Sequence, residues 1–190
     1  MLEKLKHIDI VWLHTVNQKW SNPFFDAVVP WLRYQQVWYP FYIFLIAFAL
    51  YNFGKKGAWW IASFILTIGI TDTTSSRLIK NSIQRLRPCN DPDVLPLIDL
   101  RVPHCSGGYS FTSSHAANHF GMAMFIYITL SPILGKRTAW IFLWPAVVSY
   151  AQVYVGVHYP FDVLVGAFLG MALGWCTGKY FNSKMPNLAA

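Results

Sequence analysis

Long apolar runs separated by short polar stretches make up most of this chain. An α-helix of about 20 apolar residues crosses the roughly 30 Å hydrocarbon core of a bilayer, and several runs approach that length. They lie near 36–53, 57–78, 115–134, 138–156 and 160–178. The pattern predicts an all-α fold, namely a polytopic membrane helical bundle of about five transmembrane helices.

The first 34 residues follow a different pattern, because polar side chains interrupt each apolar run before it could span a membrane. His14, Asn17, Lys19 and Asp26 are among them. A cleavable signal peptide would need an unbroken apolar core followed by small residues, and neither is present. We therefore predict that residues 1–34 form an amphipathic interfacial helix, within a single domain of residues 1–190.

The amino-acid composition supports the membrane class. Of 190 residues, 55% are hydrophobic and only 12% are charged, whereas a soluble globular domain carries about 25% charged residues. This composition excludes a disordered chain, a collagen, a coiled coil and an ordinary soluble enzyme. The lipid bilayer is therefore the expected environment of the chain.

The basic residues exceed the acidic ones by 15 to 8. Several form pairs beside the apolar runs, at Lys55 and Lys56, at Lys136 and Arg137, and at Lys179 and Lys184. They do not form a continuous basic face, so no nucleic-acid partner is predicted. With five spans, these pairs lie on one side of the membrane, which the positive-inside rule makes cytoplasmic. Residues 79–114 then lie on the outer face.

Two of the three cysteines, Cys89 and Cys105, fall in this outer segment. An outer-face loop of a bacterial-type membrane is oxidising, and a disulfide closing such a loop would contribute about 3 kcal/mol. We predict a Cys89–Cys105 disulfide, with two independent thiols as the alternative. A zinc site is less favoured, because His104 supplies no second spaced pair of ligands.

The first of three polar clusters in the outer regions runs from Lys80 to Pro88 and includes Arg85 and Arg87. Arginine presents a planar fork that suits phosphate oxygens, and lysine presents a point charge. The alternative reading is a set of cations that touch lipid headgroups. Positive residues are normally rare on the outer side of a membrane, which favours an anion-binding role.

The second cluster, Thr112–His115, opens the third apolar run. Ser113 or Ser114 can cap a helix here, and the free backbone N–H groups of the first turn would then attract an anion. His115 would lie within one turn of that anion and could transfer a proton near neutral pH. A plain serine cap beside an interfacial histidine remains the alternative.

The third cluster joins the fourth and fifth runs. His158 and Asp162 are four residues apart, so they lie on one helix face if Pro160 begins the helix. A carboxylate bound to one ring nitrogen fixes the histidine tautomer and leaves the other nitrogen free to attack an electrophile. A purely structural hydrogen bond between the two is the alternative.

The three clusters together resemble the type-2 phosphatidic acid phosphatase superfamily, whose signature is K-x6-R-P, then P-S-G-H, then S-R-x5-H-x3-D. The resemblance covers residues from about 35 to 180. The matching residues are Lys80, Arg87 and Pro88 in the first block, Ser113 and His115 in the second, and His158 and Asp162 in the third. The chain departs from the signature at Thr112 and Ser114, and at Ala151 and Gln152 in place of the S-R pair.

The resemblance implies a role for each matching residue. His158 would be the nucleophile that forms a phosphohistidine, and Asp162 would orient it. His115 would protonate the leaving oxygen and then activate water. The phosphate-binding residues would be Lys80, Arg87, Ser113, Ser114 and the residue at the family's arginine position, Gln152. No metal or other cofactor is expected.

Gln152 is the most consequential departure, because the family's arginine there is a phosphate ligand. A neutral amide loses a charge-assisted contact, whose removal would cost several kcal/mol of transition-state stabilisation. Arg77, Arg85 and Arg101 are the candidates to replace it. We expect an active phosphatase with an altered pocket, and a catalytically weakened lipid-phosphate binding protein is the alternative.

The resemblance implies hydrolysis of a phosphate monoester or pyrophosphate on a membrane lipid, with undecaprenyl diphosphate as the preferred substrate among several. It also implies a multi-pass protein of the bacterial inner membrane with its active site on the periplasmic or outer face. A small membrane transporter is an alternative from another class, but its charged residues should be spread through the membrane depth. Here they gather at one face.

Overall fold

The computed structural model describes residues 2–186 and 188, and this part of the chain is helical without any strand. Its α-helices are α1 (Leu2–His14), α2 (Pro23–Leu32), α3 (Tyr39–Asp72), α4 (Lys80–Ile83), α5 (Ser114–Leu134), α6 (Leu143–Tyr154) and α7 (Pro160–Lys184). The predicted all-α membrane fold is confirmed. The predicted domain of residues 1–190 includes positions 1, 187, 189 and 190, which lie outside the described residues.

Helix α3 is a hairpin of two helices rather than one straight helix. The chain reverses at Gly54, whose φ of 52° lies in the left-handed region that favours glycine. A Cβ built on Gly57 would lie 2.0 Å from the carbonyl oxygen of Ala49, although eight residues of straight helix would span about 12 Å. The two halves correspond to the first two predicted spans.

Helices α5 and α7 pack side by side in the same direction, and glycines on α7 allow their backbones to touch. A Cβ on Gly166, Gly170 or Gly174 would lie 2.6, 2.1 or 2.3 Å from a backbone oxygen of α5 or of its N-cap residue. Small residues spaced by four on one helix face permit this contact in membrane helices. Both helices therefore begin at the same end of the bundle.

Three helical stretches in the described chain are long and apolar enough to cross a membrane: Gln35–Asn90, Ser114–Leu134 and Pro160–Lys184. The first contains the α3 hairpin. The fourth predicted span corresponds to a 3₁₀-helix, Lys136–Phe142, followed by α6. The total of five spans remains a prediction.

The N-terminal region differs from the single amphipathic helix that the sequence predicts. Helices α1 and α2 are joined by a π-helical segment, Thr15–Lys19, and Asn22 caps α2 by accepting a hydrogen bond from Phe25 N at 3.0 Å. Asn17 is fully buried and donates to the carbonyl oxygen of Tyr154 at 2.7 Å. Asn17, one of the polar residues that interrupt the apolar pattern, therefore makes tertiary contacts instead of facing water, whereas Lys19 and Asn22 are exposed.

A long loop, residues 84–113, connects α4 to α5 and contains two short 3₁₀-helices. Cys89 and Cys105 are bonded within it, with a Cα–Cα distance of 5.8 Å, so the predicted disulfide is confirmed. Ser110 N donates to Arg85 O at 2.8 Å and ties the end of the loop to its beginning. The loop thus folds back over the end of the bundle at which α5 and α7 begin.

Candidate active site

His158 lies in the tight connection between α6 and α7 and is 1% exposed. The connection turns at Gly156, whose φ of 81° favours glycine. Tyr159 precedes the first turn of α7, which begins with Pro160, as the sequence predicts. The Asp162 carboxylate accepts a hydrogen bond from Tyr159 N at 3.0 Å, so the same residue caps α7 and faces His158.

The two nitrogens of His158 have different partners. Arg87 Nη1 lies 3.0 Å from Nε2, and an arginine only donates, so Nε2 is the unprotonated acceptor. The ring proton therefore resides on Nδ1, which lies 3.5 Å from Asp162 Oδ2 and 3.3 Å from Ser110 Oγ. Burial lowers the pKa of His158 to about 4, so the ring is neutral at physiological pH.

Ser110 completes this arrangement, although it lies outside the three polar clusters of the sequence. Its hydroxyl donates a hydrogen bond to Asp162 Oδ2 and can accept a hydrogen bond from Nδ1–H of His158. At 3.5 Å, the direct contact between His158 and Asp162 is longer than an ordinary hydrogen bond, so the hydroxyl bridges them. A serine in an irregular loop carries no sequence pattern that would have marked it.

Arg87 is 7% exposed and is held by backbone carbonyls. It donates to Gly107 O and Gly108 O at 3.3 Å each and to Val157 O at 3.2 Å. Lys80 Nζ donates to Tyr109 O at 3.1 Å. The long loop therefore holds two of the predicted phosphate-binding cations near His158.

The positive charge of Arg85 is neutralised by two carboxylates. Its guanidinium is 2.8 Å from Asp162 Oδ1 and 2.6 Å from Asp9 Oδ2. It also lies 3.7 Å from the ring centre of Tyr159. Two carboxylates and an aromatic face occupy it, so Arg85 orients Asp162 and is not the replacement for the arginine missing at position 152.

Asp9 is the second acidic partner that the sequence analysis did not identify. It is 1% exposed on α1, and its Oδ1 accepts from Phe161 N at 2.9 Å. Burial raises the pKa of the Asp9 carboxyl, while hydrogen bonds from Phe161 N and Arg85 oppose that shift. In the sequence, Asp9 is only a carboxylate within an amphipathic segment, and its partner Arg85 is 76 residues away in the chain.

The start of α5 forms the opposite side of the site. Ser113 caps the helix and accepts from Ala116 N at 3.4 Å. Thr112 Oγ1 and Ser114 Oγ are buried without a hydrogen-bond partner within the described residues. Ser113 N donates to Asp162 O at 3.0 Å, which fixes the start of α5 beside α7.

His115 faces two cavities. Its ring packs parallel to His119, with centroids 6.4 Å apart, and His119 Nε2 lies 3.3 Å from the Tyr42 hydroxyl. A cavity of about 460 Å³ lies between both halves of α3 and α5, and its lining includes Tyr42, Leu45, Trp60, Phe64, Met122, His115 and His119. A smaller cavity of about 190 Å³ is lined by Arg33, Tyr34, Gln35, Gln36 and His115.

Gln152 is fully buried on α6, one turn before the His158 connection. In the described part of the structure, neither atom of its side-chain amide has a hydrogen-bond partner. Leaving a buried amide unpaired is costly. The structure brings together the other predicted site residues around the His158 connection, the long loop and the start of α5, but gives the Gln152 side chain no polar contact with them.

Comparison with known proteins identifies related chains. The model of the PAP2 superfamily matches residues 57–186. The chain is 34% identical over 179 residues to a lipid A 4'-phosphatase of Bacteroides thetaiotaomicron, covering 92% of this chain and 77% of that protein. It is 27% identical over 162 residues to a lipid A 4'-phosphatase of Porphyromonas gingivalis, covering 85% and 68%. The crystal structure of Aquifex aeolicus LpxE superimposes with a TM-score of 0.64 at 28% identity, covering 90% of this chain and 94% of that one.

Proposed function

The chain belongs to the PAP2 superfamily and is a membrane lipid phosphatase, and from this premise we propose that it removes a phosphate group from a lipid A-type glycolipid through a phosphohistidine. The substrate class follows the two relatives that are lipid A 4'-phosphatases. The observation that carries the mechanism is the His158 tautomer. Its Nε2 is unprotonated and faces Arg87, while its Nδ1 faces Ser110 and Asp162.

In the first chemical step, His158 Nε2 attacks the phosphorus of the lipid phosphate. A P–N bond forms as the P–O bond to the lipid breaks. His115 takes up a proton when the phosphate dianion binds beside it, and it gives that proton to the leaving oxygen. The imidazolium charge that develops on His158 is stabilised by the Asp162 carboxylate. In the second step, His115 takes a proton from water, which attacks the phosphohistidine, releases inorganic phosphate and restores neutral His158.

The phosphoryl oxygens bind the cations and the start of α5. Arg87 and Lys80 are fixed by carbonyls of residues 107–109, so their charges are already in position before substrate binds. Ser113 and Ser114 lie at the N-terminal end of α5, where backbone N–H groups of the first turn attract an anion. On binding, a phosphoryl oxygen takes over the Arg87 N–H that points at His158 Nε2, which frees that nitrogen to attack.

The cavity between α3 and α5 suits the apolar part of a lipid. Its lining is mostly aromatic and aliphatic, and it reaches His115 and His119 at the end where α5 begins. A lipid phosphate at this end would have its leaving oxygen near His115. We place the reaction at the outer face of the bacterial inner membrane, because the basic connections lie at the opposite ends of the helices.

Phosphate release by the purified protein in detergent tests the proposal. The substrate panel contains lipid A, phosphatidylglycerol phosphate, phosphatidic acid and undecaprenyl diphosphate. We expect phosphate release from lipid A, and a loss of about 10³-fold or more in His158→Ala. Substrate carrying ³²P should label the wild type with an alkali-stable, acid-labile phosphate.

The exposed residue His7 provides the matched control, and His7→Ala should keep the wild-type rate. Full activity in His158→Ala would contradict the proposed nucleophile. Faster release from undecaprenyl diphosphate than from lipid A would contradict the proposed substrate class and leave the mechanism in place.

A further inference from the structure

The structure leaves the arginine missing at position 152 without a replacement among the three sequence candidates. Arg85 is paired with Asp9 and Asp162. Arg101 Nε lies 2.6 Å from Asp26 Oδ1, and its Nη2 lies 3.2 Å from Asp99 Oδ2. Arg77 is exposed on the π-helical segment after α3. Arg85 and Arg101 are therefore paired with carboxylates, and Arg77 is exposed.

Arg33, at the C-terminal end of α2, has the properties that these three lack. It lines the cavity of about 190 Å³ together with His115. Its Nε is buried and has no hydrogen-bond partner within the described residues. No carboxylate in that part of the chain lies within 4.0 Å of it. Its side-chain partners are Ser106, whose Oγ lies 3.4 Å from Nη2, and Tyr34, whose ring centre lies 5.4 Å from the guanidinium carbon.

The long loop places Arg33 close to Arg87. Ser106 contacts Arg33, and the next two residues, Gly107 and Gly108, accept hydrogen bonds from Arg87. Arg33 interacts electrostatically with both Arg87 and His115. Two partly buried guanidinium groups without a shared carboxylate repel each other, and an anion bound between them would remove that cost.

We propose that Arg33 binds the phosphoryl group of the substrate on its His115 side and supplies the positive charge that Gln152 does not. This inference rests on the proposed function. A guanidinium fork can contact two phosphoryl oxygens at once, and its Nε and Nη donors are the groups left without strong partners. The ligand thus comes from the N-terminal region, outside the three signature blocks.

The test measures kcat/KM on lipid A and the vanadate inhibition constant, because vanadate resembles the five-coordinate phosphoryl group. Arg33→Gln should lower kcat/KM by about 100-fold or more and raise the vanadate constant by about ten-fold. Arg33→Lys should keep part of the activity, because the charge remains and the fork is lost. Adding Gln152→Arg to Arg33→Gln should recover about ten-fold in kcat/KM.

Arg137→Gln is the matched control, since Arg137 is exposed beyond the C-terminal end of α5. It should leave both constants within about two-fold of wild type. If Arg33→Gln also leaves kcat/KM and the vanadate inhibition constant within about two-fold of wild type, that result would overturn the inference. So would a fall in kcat/KM without any change in the vanadate constant, because that outcome indicates a structural role.

A second readout separates this inference from the proposed function. Vanadate binding can be followed by thermal unfolding of the detergent-solubilised protein, without any turnover. Suppose that the wild type hydrolyses no lipid phosphate, that vanadate raises its unfolding temperature, and that this increase is lost in Arg33→Gln. This result would contradict the proposed function and support the role of Arg33. A wild type that vanadate does not stabilise or inhibit would overturn both.

Discussion

The two sides of the active site differ in how fully their polar groups are paired. On the His158 side, each nitrogen of the ring, both oxygens of Asp162 and the Arg85 guanidinium have partners. On the His115 side, Thr112 Oγ1, Ser114 Oγ and Arg33 Nε have none among the described residues. The proposed nucleophile, His158, is therefore held in position in advance, whereas the His115 side has free polar groups that substrate oxygens would complete in the proposed mechanism.

This difference has a physical reason. A nucleophile gains rate from a fixed position and a fixed tautomer, so its network must be satisfied before the substrate arrives. Groups that bind a phosphoryl group must keep free donors, and leaving them unpaired costs stability in the free protein.

The largest expected effect concerns His115. His115→Ala should lower kcat/KM for lipid A by about 10³-fold, because an alkoxide leaving group needs a proton. With p-nitrophenyl phosphate the loss of kcat/KM should be much smaller, because the p-nitrophenolate leaves without being protonated. The measurement compares kcat/KM for the two substrates, with His104→Ala in the long loop as the control. Equal losses on both substrates would refute the assignment of His115 to the leaving group.

A smaller effect is expected from Asp9, which contacts the site through Arg85 and through the backbone N–H of Phe161. Asp9→Asn removes the ion pair at 2.6 Å, so Arg85 should orient Asp162 less well. We expect kcat to fall about ten-fold with KM unchanged, and the free energy of unfolding to fall by about 2 kcal/mol.

Glu3→Gln, an exposed change on the same helix, is the control for Asp9. Both variants are compared by steady-state kinetics and by thermal unfolding in detergent. A rise in KM at constant kcat would mean that Asp9 acts on substrate binding, and the positioning role would then be wrong.

The smallest expected effect is on pH dependence. The native pKa of His158 is lowered to about 4 by burial, against opposing contributions from Asp162. The unfolded chain, with an ordinary histidine pKa of about 6.5, therefore binds more protons between these values. This histidine should make folding stability fall as the pH drops from about 6.5 to 4.

The ring ¹⁵N signals of His158, assigned with His158→Asn, should accordingly remain those of a neutral ring at pH 5. The protonated nitrogen should be Nδ1. Titration of this ring near pH 6.5 would show that the His158 side is less enclosed than the structure indicates.

Much of the fold followed from local patterns. Apolar runs of near-spanning length predicted the membrane bundle, because backbone polar groups in hydrocarbon must be paired within a helix. Pro160 predicted the start of α7, because proline suits the first turn of a helix. The Cys89–Cys105 pairing followed from two cysteines that lie 16 positions apart in the same loop. Each of these depends on residues that are close in sequence.

The residues that the sequence analysis missed depend on distant contacts. Asp9, Ser110 and Arg33 belong to no signature block, and each contacts a partner between 48 and 76 residues away. The sequence pattern predicts that the first 34 residues lie at a membrane surface, whereas Asp9 and Asn17 in this segment are buried in the fold. The sequence shows that a polar residue interrupts an apolar pattern, but it does not show which distant group forms a hydrogen bond or ion pair with that residue.

The sequence by itself determined the membrane class, the family resemblance and the residues of the three signature blocks, because these are encoded in hydropathy and short spacings. Only the tertiary structure decided which arginine is available to a substrate. The sequence does not distinguish Arg85, Arg101 and Arg33. In the structure, Arg85 and Arg101 are paired with carboxylates, whereas Arg33 lines a cavity together with His115. Pairing depends on how α1, α2 and the long loop meet, and that is a property of the packed chain.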